Sequence, residues 1–137
     1  MALPDTQTKT RFVVEFPINA SPKILFPYLA TASGLSQWFC DDVRYVEGQR
    51  LNFIWDNDNH YAEISGQRLN KAVRFVFLDD HRQSVLDANF LEFTLDSSQV
   101  TDEVYLRVVD YSAGHDAAEQ HEMWESLVAK LRDQVGG

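Results

Sequence analysis

The hydrophobic positions of this chain change period three times. Over residues 11–18 they alternate, with Phe12, Val14 and Phe16 on one face and Arg11, Val13 and Glu15 on the other, the pattern of a half-buried strand. Asn19-Ala20-Ser21-Pro22 stops the run. Ser21 stands where a helix needs its N-cap, and Pro22 at the first helical position, where a missing N–H costs nothing. Ile24, Leu25, Tyr28 and Leu29 give the inward stripe of a short helix, which Pro27 is expected to kink or shorten. Ala32-Ser33-Gly34 then breaks the chain. Residues 35–39 are expected to add one helical turn, capped by Ser33 and carrying Trp38 and Phe39.

Alternation returns through the middle. Strands are expected at 43–46, 51–55, 61–69, 73–78, 90–95 and 104–109, with Leu51, Phe53 and Trp55 sharing a face. Turns fall at Glu47-Gly48-Gln49, at Asp56-Asn57-Asp58-Asn59 and at Asp96-Ser97-Ser98, with a polar loop over 79–84. The helical period resumes at 116–135. Asp116 with Glu119 forms an Asx variant of the capping box, and Lys130 and Arg132 lie near the far end. Ala117, His121, Trp124, Leu127, Val128, Leu131 and Val135 fall on one face, and Gly136-Gly137 closes the helix. The expected fold is α+β: an antiparallel sheet of six or seven strands around one long C-terminal helix, with two short helices after the first strand. One domain over 9–135 is expected, after a frayed lead-in of residues 1–8. Such a layout can enclose an apolar hollow.

At 137 residues the chain is long enough to bury a core without staples, and 45% hydrophobic residues argue against disorder. The formal charge of −9 changes the list of partners, because it repels nucleic-acid phosphates and anionic membrane surfaces. No run approaches the roughly 20 apolar residues of a membrane span, so no membrane insertion is expected. Cys40 has no intramolecular partner, and MALPDTQTKTRF lacks the basic-then-apolar pattern of a signal peptide. A cytoplasmic location is the expectation.

Candidate chemistry is sparse. His60, His81, His115 and His121 show no metal-ligand spacing, so neither a metal nor another cofactor is expected. No serine stands in a nucleophile elbow, and Asp41-Asp42 beside Cys40 would suppress its thiolate. The paired carboxylates Asp41-Asp42 and Asp79-Asp80 read as solvated turns, since adjacent side chains point apart. No catalytic residue is assigned. His121 is the one titratable side chain on an expected inward stripe. Trp38, Phe53, Trp55, Phe75, Phe77, Phe93 and Trp124, with Leu127 and His121, are the candidate lining of the space between sheet and helix. Two readings stand: the rings fill that space, or they line a cavity with an opening.

The stretch INASPKILFPYLATASGLSQWFCDDV resembles the N-terminal signature of START-like domains, the group of polyketide cyclases, lipid-transfer domains and heat-shock-ATPase-activator homologues. SPxxL, LxT and SGLxxWFxDDV resemble the pattern of a compact bacterial branch, and LNFIW, FLEF, VYLRVVDY and the Trp of the closing helix extend the likeness from about Phe12 to Leu131. Pro27 departs from the helix-compatible residue expected there. The resemblance implies a helix-grip fold with a cavity under the long helix, and no universal activity. Relatives bind lipids, hormones or aromatic polyketides, catalyse cyclisations or hydrolyses, or act on chaperones. The expected function is non-catalytic binding of a small apolar or amphipathic ligand. A chaperone-type or other protein partner is the alternative, and a small cyclase- or hydrolase-type enzyme comes third.

Overall fold

The computed structural model describes residues 8–114 and 116–137, so most of the expected lead-in and His115 lie outside the described residues. The chain runs β1 (Lys9–Ile18), α1 (Pro22–Ala30), α2 (Ala32–Leu35), β2 (Asp42–Tyr45), β3 (Arg50–Trp55), β4 (Asp58–Arg68), β5 (Ala72–Phe77), β6 (Phe90–Ser97), β7 (Val104–Ala113) and α3 (Ala117–Val135). The strands form one curved antiparallel sheet in the order β1-β7-β6-β5-β4-β3-β2. From β2 onward each strand pairs with the next, while β1 pairs with β7. Helices α1 and α2 therefore carry the chain from one sheet edge to the other.

Register decides what faces α3. Paired residues of antiparallel strands share a face. One inner row is Phe12, Asp110, Leu91, Phe75 and Ile64, and the next is Val14, Val108, Phe93 and Val73. A bulge between Ile64 and Gly66 inserts an extra residue into β4, a device that bends a strand.

Strand ends differ from the sequence expectation in ways that matter for the site. Asp56 and Asn57 alone make the β3–β4 turn, at φ of 49° and 67°, conformations that short Asx side chains tolerate. Asp58 and Asn59 thus join β4, and His60 stands opposite Phe53. Strand β7 runs four residues past Val109, which puts Asp110 and Ser112 on the inner face.

The helices differ in detail too. Helix α1 continues through Pro27 to Ala30, because Pro27 lies on the exposed side, where water can take up the freed carbonyl. Its buried stripe is Leu25, Phe26, Leu29 and Ala30, with Ile24 in solvent. Ala32-Ser33-Gly34 is the helix α2 itself, not a break. Thr31, rather than Ser33, caps it: Thr31 Oγ1 accepts from Gly34 N–H at 3.0 Å. Gly34 is there because a Cβ would stand 2.1 Å from the Pro27 carbonyl oxygen. In α3, Asp116 accepts from Ala118 N–H, and Gly136 ends the helix at φ 78°.

The buried stripe of α3 is Gln120, Trp124, Val128 and Leu131. Ala117 and His121, expected inward, are exposed. His121 lies about 100° around the helix from Gln120, and its Nδ1 meets Glu125 Oε1 at 3.3 Å on the flank. Among the described residues no helix is long and apolar enough to cross a membrane.

Candidate functional site

The concave face divides into a packed half and an open half. In the packed half, beneath α1 and α2, Leu25, Leu29, Leu35, Phe93, Val128 and Leu131 are fully buried. Trp38 seals it at 2% exposure, with its ring 5.7 Å from that of Phe93. Its indole N–H donates to the Tyr28 carbonyl at 2.8 Å, so the polar edge of the plug is satisfied by α1. Phe53 and Phe75 stack edge to face at the boundary.

The open half lies by the first turns of α3 and encloses a cavity of about 360 Å³. Phe39, Trp55, Phe77 and Trp124 supply rings, Leu91 and Leu127 aliphatic wall, and Met123 the helix side of the rim. Phe39 stacks on Trp124 at 5.7 Å and meets Trp55 edge-on at 5.2 Å, which fixes the floor. Ligand pockets run roughly 300–1,000 Å³, so this one suits a small guest.

Asp110 gives the wall its chemistry. Its Oδ2 accepts from Gln120 Nε2 at 3.0 Å and from Trp124 Nε1 at 3.1 Å, and its Oδ1 accepts from Ser112 Oγ at 3.1 Å. Three donors from sheet and helix converge on one carboxylate in an otherwise apolar row. The bonds explain why Gln120 is buried in α3 and lock the Trp124 indole in place. His60 stands at the rim, 5.0 Å from the Trp55 ring. Its Nδ1 lies 3.2 Å from the Phe53 carbonyl oxygen, which can only accept, so Nδ1 carries the proton.

Of the residues singled out in the sequence, Trp55, Phe77, Trp124 and Leu127 come together around the cavity. Trp38, Phe53, Phe75 and Phe93 belong to the packed half or its boundary, and His121 lies outside. Sequence reasoning missed Phe39, His60, Asn89, Leu91, Asp110, Ser112 and Met123. Asp110 had a signal: the alternation Val104, Leu106, Val108 reaches it at the next step. Ending the strand at Val109 hid it.

Other features carry less. Burial, above all, pushes the Cys40 thiol up to about 11, with Asp41 and Asp42 adding to it against backbone hydrogen bonds at Ile54 and Asp42. Among the described residues no group of three or more His, Cys, Asp or Glu side chains could hold a metal. A larger groove of about 860 Å³ opens at the other end of α3 between Asn19, Thr101 and Gly137. It has no aromatic wall, and its Arg132 guanidinium is engaged with the Pro17 carbonyl at 2.6 Å.

A family model described as START-like superfamily domain matches residues 6–137. The chain belongs to the START-like superfamily. Among solved structures, this START-like domain is similar to the Aha1 dimer from Colwellia psychrerythraea, with a TM-score of 0.71 and 19% identity over 92% of this chain and 96% of that one. Protein BfR322 from Bacteroides fragilis is 30% identical over 92% of this chain and 90% of its own, with a TM-score of 0.61. Protein MLL2253 from Mesorhizobium loti has a TM-score of 0.70 and 20% identity over 90% of this chain and 95% of that one. Together they confirm the helix-grip fold that the sequence suggested. No curated protein matches the chain.

Proposed function

We propose that residues 9–135 act as one START-like domain that holds a small apolar or amphipathic molecule between the sheet and α3, without catalysing a reaction on it. The observation that carries this reading is the cavity of about 360 Å³, walled by Trp55, Phe77 and Trp124 and containing one tethered carboxylate. Apolar walls with few, well-placed polar groups are what a small-molecule site needs. The hydrogen bonds argue against turnover. Ser112 donates its hydroxyl to Asp110, a carboxylate that also accepts from Gln120 and Trp124, and His60 directs Nδ1 at the Phe53 carbonyl, so no serine–histidine pair is formed. The same reading takes this acidic chain to be cytoplasmic, without cofactor or nucleic-acid partner. A protein partner is what the Aha1 likeness would suggest, but that likeness supports a shared fold and the cavity favours a small guest.

Native mass spectrometry of the protein purified from its own host tests the proposal. The expected result is a small-molecule mass increment that is lost on denaturation and absent from Leu127→Trp, which fills the cavity. Bare protein, with no apolar compound raising its melting temperature, would contradict it.

A further inference from the structure

We propose that the guest carries a cationic nitrogen, an amine or ammonium joined to a compact aromatic or aliphatic body, and that Asp110 is the group that selects it; this rests on the cavity being the binding site. The polar wall presents acceptors. Asp110 takes three hydrogen bonds, from Ser112, Gln120 and Trp124, and two carboxylate oxygens offer about four lone-pair sites. One remains for a guest. The Ser112 O–H is engaged in its hydrogen bond to Asp110, so toward a guest its oxygen can only accept. In the neutral His60 ring, protonated Nδ1 leaves Nε2 as an acceptor at the rim. The lining side chains left to donate, the Asn89 amide and the Trp55 indole N–H, are both uncharged.

The charge balance points the same way. Among the described residues no Lys or Arg lines the cavity, and no ion pair is made by Asp110. A carboxylate-bearing guest would meet Asp110 with like charge and find no cation to receive it. An ammonium would gain a charge-assisted hydrogen bond there, in a lining that includes the aromatic rings of Trp55, Phe77 and Trp124 and no competing cation. The formal charge of −9 draws cations toward the mouth. Three of the four bonds at Asp110 are already in place before any guest arrives, so the acceptor is oriented in advance.

The test uses three probes with one body: 2-(1-naphthyl)ethylamine, 2-(1-naphthyl)ethanol and 1-naphthylacetate. The chain has two methionines, Met1 and Met123, so a methyl-labelled sample places one reporter on the cavity rim. The amine should shift the Met123 methyl resonance and bind about tenfold or more tightly than either other probe, the margin of a charge-assisted hydrogen bond. In Asp110→Asn that margin should collapse to about threefold or less. Equal binding by all three, or tightest binding by the carboxylate, would overturn the selection of a cation and leave the cavity reading intact. No shift of Met123 with any probe would overturn both. The wild-type ranking decides between these outcomes even should Asp110→Asn fold poorly.

Discussion

Phe93 and Phe77 stand on neighbouring strands, face the same helix, and end in different surroundings. Phe93 is fully buried under Trp38, while Phe77 borders open space. Two things separate their settings. Over Phe93 the α1–α2 segment lays down the Trp38 plug, whose indole N–H is satisfied by the Tyr28 carbonyl. Over the inner row nearest Phe77 there is no such plug, and that row contains Asp110. Hydrocarbon pressed onto a carboxylate would strip its water without replacing the lost hydrogen bonds. Aromatic composition alone therefore does not make a core; what covers the rings, and which polar group stands among them, decides between filled and hollow.

The sharpest way to break this comparison is to truncate both rings. Phe93→Ala should cost about 3–5 kcal/mol, as in other packed cores, and against a total of roughly 5–15 kcal/mol that can unfold much of the population. Phe77→Ala should cost about 1–2 kcal/mol, because its ring already borders space. Equal losses in denaturant melts would mean that the two halves are packed alike.

Next in size is the plug. Gly34→Ala forces a Cβ against the backbone of α1, and should cost about 1–3 kcal/mol as overpacking does. Thr31→Ala should cost about 1 kcal/mol for the lost cap, and Ser33→Ala nearly nothing. Thermal melts ranking Ser33→Ala below Thr31→Ala would put the cap back where the sequence pattern first suggested it.

At Asp110 the expected stability change is of the same size as the loss of the cap. Asp110→Asn should shift stability by about 1 kcal/mol, since the amide oxygen still accepts from α3 while its NH₂ faces the Ser112 side. At Cys40 the expected effect is on reactivity. With its thiol pushed up to about 11, folded protein at pH 8 should react with iodoacetamide about 100-fold more slowly than unfolded chain. The sign follows: the raised folded value stabilises below the unfolded thiol's range, and that contribution is lost as pH rises toward 11. Similar rates for folded and unfolded protein would place Cys40 in solvent.

The fold was legible because each element declares itself locally. Alternation from Phe12 to Phe16, the Asx turn at Asp56, and the capped stripe of α3 are all readable from neighbours in sequence. The site was half legible. Trp55, Phe77, Trp124 and Leu127 could be placed by face, but not whether a ring meets another ring or empty space, since that depends on α2 crossing from the opposite sheet edge. His121 and Gln120 show the limit most clearly. A single helical stripe is wide enough for either, and composition favours the histidine ring over an amide. The choice is made by Asp110, ten residues earlier, which supplies an acceptor for Gln120 and none for His121. Pairings of this kind are fixed by tertiary register, and no local pattern contains them.

The central claim, an open half built to hold a guest beside an inert packed half, is tested most directly by a crystal structure with 2-(1-naphthyl)ethylamine bound. The account predicts the naphthyl ring among Trp55, Phe77 and Trp124, its nitrogen within about 3 Å of an Asp110 oxygen, and Phe93 and Trp38 undisturbed. A cavity closed by inward movement of Phe39 and Trp55, with the probe seated instead in the groove beside Arg132, would contradict it.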